Sequence, residues 1–215
     1  MAAQPNIQHQ DDFITERWWE ALLLLTGMSA FIYFICWRHL FFFELGPGVV
    51  NETITLSVFI LGLAFGASLG GELSHRYPGE LPKVFMVLQL VVGAFGLLSY
   101  PLLRFIASQL AGASASALPF LVFFSLMVPT LALGAFLPVC LRYVHQRKGD
   151  IGQIFSGFLG GNLVGAALGA VFVVLILFLL TNLIVSLLAA SALNFAAAGI
   201  IYRRQQGKTL FGKIL

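Results

Sequence analysis

Six apolar runs, each close to the length of a bilayer crossing, account for most of this chain. A transmembrane helix needs roughly 20 predominantly apolar residues. The pattern predicts helices over Trp18–Phe43, Ile54–Ser74, Val84–Ile106, Pro119–Leu141, Ile154–Leu180 and Leu183–Tyr202. Polar or helix-breaking stretches separate them. Gly46-Pro47-Gly48 interrupts the chain after the first run, and Pro78-Gly79 makes a turn after the second. Pro129 and Pro138 fall inside the fourth, where they kink a helix or need neighbours for the freed carbonyls. The fold class that follows is an all-α integral membrane protein, a six-transmembrane-helix bundle with short loops. Residues 1–17 form a polar N-terminal segment, 18–202 the membrane domain and 203–215 a basic tail.

Composition agrees. Of 215 residues, 59% are hydrophobic and 10% charged, against about 25% charged in soluble domains. One soluble core cannot hide that much apolar surface. The net charge of +3 sits in short basic clusters, which are topology signals and not a nucleic-acid surface. Nine of the twelve Lys and Arg residues lie between runs two and three, between runs four and five, and in the tail. Arg17 joins them by parity, and Arg38 and Arg104 fall on the other side. The positive-inside rule then gives an N-in, C-in chain. The first 17 residues lack a basic n-region and a cleavage site, so the first helix is expected to stay in the mature protein. Trp18 and Trp19 stand roughly 27 Å from Trp37 along a helix, the separation of two interfacial aromatic belts. Cys36 and Cys140 form no CxxC pair and fall near opposite faces, so no disulfide is expected.

Small residues give the pattern its chemistry. Gly62, Gly66 and Gly70 share one helix face, and Gly161, Gly165 and Gly169 share another. Small residues let helix backbones approach closely in lipid. Each face therefore serves either internal packing or the docking of a partner. The polar candidates are few. Arg38 and His39 close the first helix, with Glu44 just beyond, as an interfacial cluster or a buried site. Glu72 and Arg76 form an i,i+4 pair at the end of the second. Asn162 lies among the glycines of the fifth, as a hydrogen bond between helices or a substrate contact. The histidines His9, His39, His75 and His145 fall in the tail and near helix ends, so no haem or metal site is expected. Phe41, Phe42, Phe43, Phe120, Phe123 and Phe124 read as lipid-facing or core, and at least one ring of the FFF triplet must point outward.

Several of these segments together resemble a known family. Thr26-Gly27 through Tyr33, with Trp37, His39 and Leu40, is similar to the first helix of bacterial membrane-bound spermidine synthase-like proteins. Phe59–Arg76 resembles their second helix. Pro129–Pro138 resembles their PTLLMGATLP segment, and Gly161–Gly169, with Asn194 further on, their LNTLGAVLG segment. The resemblance spans Thr26–Tyr202. It implies a membrane module in the bacterial inner membrane and makes the Asn51-Glu52-Thr53 sequon incidental. Phe34 stands where that family often has Glu, and His39 where it often has Arg. The sequence contains no GxGxxG strand–turn–helix unit and no acidic pair for a polyamine, so the family's synthase activity does not carry over.

The functional expectation is a non-catalytic membrane subunit that scaffolds or anchors a partner, in contact with lipid and with other membrane subunits or a second copy. No cofactor is expected. The alternative is a transporter of a polyamine-like metabolite, motivated by Asn162 and the proline-broken fourth helix. A third reading is a membrane enzyme built from Glu72, His75, Arg76 and His145.

Overall fold

The computed structural model describes residues 7–45, 49–110, 117–145 and 151–211, and every element among them is helical. The elements are α1 (Ile7–Leu45), α2 (Val49–Arg76), α3 (Leu81–Leu110), α4 (Ala117–His145), α5 (Ile151–Phe172), a π-helical turn (Val173–Leu177), α6 (Phe178–Leu180) and α7 (Leu183–Phe211). Six of these helices or helical runs are long and apolar enough to cross a membrane. Gly46-Pro47-Gly48, Arg147, Lys148 and Lys213 lie outside the described residues.

The helices outrun the apolar runs at several ends. α1 begins at Ile7 and not at Trp18, α2 at Val49 and not at Ile54, and α7 continues past Tyr202 to Phe211. Apolarity marks where lipid would be, whereas a helix continues until a breaker stops it, and no Pro or Gly lies between Ile7 and Arg17. The fifth run forms one helical span, Phe155–Leu180, close to the expected Ile154–Leu180, with one local departure from α geometry. Val171, Val173, Val174 and Ile176 crowd an α-helical turn with β-branched side chains, and the chain widens there to a π turn. The turn at Pro78-Gly79 lies where expected, closed by Tyr77 N–H to Leu73 C=O at 3.0 Å and Glu80 N–H to Tyr77 C=O at 3.1 Å.

Two closely packed pairs organise the bundle, and glycines set both. On α5, a side chain at Gly165 or Gly169 would run into the Leu24 or Met28 carbonyl of α1, and one at Gly27 of α1 would meet the Asn162 carbonyl. On α2, a side chain at Gly66 or Gly70 would run into the Leu131 or Ala135 carbonyl of α4, and one at Gly134 would meet the Leu63 carbonyl. Gly62 abuts Thr130 in the same seam. Both seams are parallel, and carbonyls facing the glycine Cα–H groups favour the close approach. Both glycine faces are thus spent inside the chain.

The two seams are one design used twice. Gly27 of α1 and Gly134 of α4 occupy the same place relative to their partners, three residues after the carbonyls of Leu24 and Leu131. Ser57–Gly70 and Ser156–Gly169 match residue for residue, with Ser, Phe, Gly, Gly, Ala, Leu and Gly identical at seven of fourteen positions. Three of the seven identities, Ser57, Phe59 and Leu69, lie outside the small residues of the stripe. Helix directions give the relation between the halves. Thr26 meets Gln89 and Tyr33 meets Gly96, so α1 and α3 are parallel. Phe34 meets Phe59 and Arg38 meets Glu52, so α2 runs opposite to α1. Ser29 meets Asn194 and Tyr33 meets Ser191, so α7 also runs opposite. The unit α1–α2–α3 is therefore followed by a second unit, α4, α5 and α7, with every helix reversed.

α1 is the hub. It packs on α5 and α7 and touches α2, α3 and α4, while α3 joins α4 to α7. Its buried side chains Trp19, Leu22, Leu23, Ile32, Tyr33, Cys36, Trp37 and Leu40 form the spine of the core. The FFF triplet splits as its geometry requires: Phe41 is buried, and Phe42 and Phe43 are exposed.

Candidate functional site

Polar residues recur along the buried stripe of α1 at helical spacing, and each finds a partner on α3 or α7. Thr26 Oγ1 donates to Leu22 C=O at 2.8 Å and accepts from Gln89 Nε2 at 2.6 Å. Ser29 Oγ lies 3.0 Å from the Thr26 carbonyl and 3.3 Å from Asn194 Oδ1. Asn194 Nδ2 donates to Ala190 C=O at 2.9 Å and to the Tyr33 hydroxyl at 3.3 Å. The Tyr33 hydroxyl lies 3.0 Å from Ser191 Oγ, which donates to Leu187 C=O at 2.9 Å. Without water, such groups must satisfy one another. Two polar atoms do not: Gln89 Oε1 and Trp37 Nε1 are buried with no hydrogen-bond partner. The Trp37 ring stacks on Tyr33, with centroids 5.1 Å apart.

Above this ladder the bundle opens. A cavity of about 610 Å³ lies at one end, between α1, α3 and the α6–α7 junction. His39, Leu40 and Phe43 of α1 line it, with Tyr100 of α3, and Phe178 and Thr181 to Ile184 complete the wall. The π turn helps to place that wall. An inserted residue turns the following chain by roughly 100°, which sets the direction of Phe178. The His39 ring sits between two others, 4.6 Å from Phe43 and 4.9 Å from Phe178 by centroid. Asn182 caps α7, its Oδ1 accepting from Val185 N–H at 3.0 Å. The Tyr100 hydroxyl accepts from Arg104 Nη1 at 3.2 Å. None of the described residues lining the cavity is acidic. Its chemistry is that of an apolar, aromatic wall with an imidazole, a carboxamide and hydroxyls at its polar points. Its volume falls within the roughly 300–1,000 Å³ typical of small-molecule sites.

The sequence candidates are scattered. His39 lines the cavity. Arg38, beside it, forms an exposed ion pair with Glu52 of α2. The side chain of Glu44 lies outside the described residues. Glu72 and Arg76 are exposed at the opposite end, and the expected i,i+4 pair is not made. Arg76 instead lies over the Tyr77 ring, 5.9 Å from its centroid, because an exposed guanidinium gains little from a carboxylate already solvated. Asn162 is half-buried. Its backbone carbonyl meets Gly27, whereas its carboxamide makes no hydrogen bond among the described residues. Gln89 was overlooked in the sequence, and Asn194 stood out only through the family resemblance, although each is a lone carboxamide in an apolar run. Cys36 and Cys140 are both free and buried. Among the described residues no group of three or more His, Cys, Asp or Glu could hold a metal ion. No known family, no curated protein and no solved structure matches the chain.

Proposed function

We propose that the chain is a multi-pass protein of the bacterial inner membrane, N-in and C-in, that binds a small molecule in the His39 cavity and performs no catalysis of its own. The cavity carries this reading: it is a partly open space where apolar walls and a few convergent polar groups meet, the usual form of a small-molecule site. The preferred ligand is uncharged, with an apolar or aromatic body and one or two hydrogen-bonding groups. A polyamine fits poorly, since no acidic side chain faces it among the described lining residues. The resemblance to the membrane module of spermidine synthase-like proteins supports the membrane setting and lends no substrate.

The test is native mass spectrometry of protein released from mild detergent. A bound small molecule is expected on the wild type and lost on Ile184→Trp, which fills the cavity. A wild-type mass with no small molecule bound, in detergent and in nanodiscs alike, sinks the reading.

The scaffold reading keeps one observation in its favour. Gly71, Gly157, Gly160 and Gly199 have nothing near the space a side chain would occupy, so an outside helix could approach there. A single copy with no attached protein in the same spectra counts against it.

A further inference from the structure

The bundle contains one packing unit twice, in opposite senses, yet among the described residues its two ends differ. At the His39 end lies the cavity. At the Arg76 end, Trp19 packs 5.5 Å from Phe85 and 4.7 Å from Tyr143, and Phe85 packs 5.2 Å from Phe136, by ring centroid. All four side chains are buried. The helix starts show the same contrast. Leu183, the first residue of α7, lines the open cavity, whereas Leu81, the first residue of α3, is completely buried at the closed end.

Two copies of a unit in opposite orientation need not adopt the same arrangement. If each half takes up the arrangement now held by the other, the open end closes and the closed end opens. Both states keep the two glycine-packed seams, the largest contacts in the bundle, so their energies can lie close enough for a solute to shift the balance. The seams that must survive the exchange are the glycine-packed pairs, α1 with α5 and α4 with α2, which can move as rigid bodies. The seams that must slide are those between the pairs and α3 and α7. They hold the hydrogen-bonded ladder and two buried polar atoms without a hydrogen-bond partner, Gln89 Oε1 and Trp37 Nε1.

We propose that this protein moves a small, uncharged, largely apolar solute across the membrane by alternating access, that the structure is the state open at the His39 end, and that Trp19, Phe85, Phe136 and Tyr143 are the gate at the other. The proposal rests on the His39 cavity being a solute site, and its test does not require the solute.

Cys140, fully buried on α4 one turn from Tyr143, is a native reporter behind the gate. The Cys36→Ala variant leaves it as the single thiol. A membrane-impermeant methanethiosulfonate added to vesicles of known orientation is expected to label it slowly from the Arg76 side and not from the His39 side. In the Cys36→Ala/Cys140→Ala background, Ile184→Cys is expected to label from the His39 side. With Ile184→Cys and Cys140 together, filling the cavity first with a bulky maleimide is expected to slow Cys140 labelling at least tenfold, because the open state is then held. Trp19→Phe, a mild change that keeps the fold, is expected to speed Cys140 labelling and leave Ile184→Cys unchanged.

Cys140 silent from the Arg76 side while Ile184→Cys reacts would overturn alternating access and leave the cavity as a one-ended binding site. Cys140 reacting at the same rate with the cavity filled would overturn it in favour of local opening at the gate. Silence at both positions in folded protein would overturn the cavity reading as well.

Discussion

A single methyl group should act with different force at glycines on the same helix. Gly66 and Gly71 both lie on α2, but a Cβ at Gly66 would press into the Leu131 carbonyl and the Gly134 Cα of α4, whereas one at Gly71 would have nothing within 4 Å. The obstruction at Gly66 is backbone, which cannot rotate aside, so the helices must separate. Overpacking of this kind costs about 1–3 kcal/mol. The gain in helix propensity on replacing Gly by Ala, up to about 1 kcal/mol, is common to both sites and cancels in the comparison. Gly66→Ala should therefore be less stable than Gly71→Ala by about 1–3 kcal/mol. In a chain of this size that separates thermal midpoints by roughly 2–12 °C. The copied seam gives an internal replicate, since Gly165→Ala should behave like Gly66→Ala and Gly157→Ala like Gly71→Ala. The assay is thermal unfolding in detergent, followed by circular dichroism and by loss of the monodisperse peak. Equal midpoints for Gly66→Ala and Gly71→Ala would refute the claim that the α2–α4 seam is set by backbone contact.

Other outcomes follow from the buried ladder and the surface. Gln89→Met should be neutral or stabilising in the same melt. It gives up one interhelical hydrogen bond, about 0.6 kcal/mol on average in a membrane, and removes an unpartnered acceptor that costs about 1–3 kcal/mol; a loss beyond about 1 kcal/mol would contradict the unpaired Oε1. Thr26→Val should destabilise by about 1–3 kcal/mol, since it strands the remaining polar end of Gln89, and adding Gln89→Met should recover most of that loss. Tyr33→Phe removes the link between Asn194 and Ser191 and should cost about 0.5–2 kcal/mol, read as a lower midpoint with unchanged helicity. Arg38→Gln should change stability by less than about 1 kcal/mol, because its ion pair with Glu52 is largely exposed; a larger loss would mean that the pair holds α1 and α2 together.

The helix count and order were legible because six apolar runs of about 20 residues or more, each long enough for a membrane crossing, are separated by polar or helix-breaking stretches. The glycine spacing announced close contact, but not with which helix. A small residue permits approach without addressing it, so Gly62, Gly66 and Gly70 could have faced a partner as readily as α4. The repetition was also present in the text, in Ser57–Gly70 and Ser156–Gly169. It was hidden by the other members of each half, since α1 and α4 share little beyond Leu24 with Leu131 and Gly27 with Gly134. The cavity was not legible at all. Its wall comes from the ends of α1 and α3 and from the chain around a π turn, and no local pattern records that His39 and Asn182 will face one space. Asn162 shows the converse error: its side chain suggested an interhelical hydrogen bond, and it is its carbonyl that makes the contact.

The parallel seam between α1 and α5 also bears on how the protein is made. A hairpin can close as soon as its second helix emerges, but α1 must wait for α5, whose last residue, Phe172, follows Leu45 by 127 positions. At roughly 5–20 residues per second, synthesis leaves the Gly27 face without its mate for about 6–25 seconds. The α2–α4 seam can form first and hold a half-built bundle together meanwhile. Biogenesis should therefore be most vulnerable at α1, whose exposed small-residue face would be open during that interval to any insertion factor or neighbouring chain able to cover it.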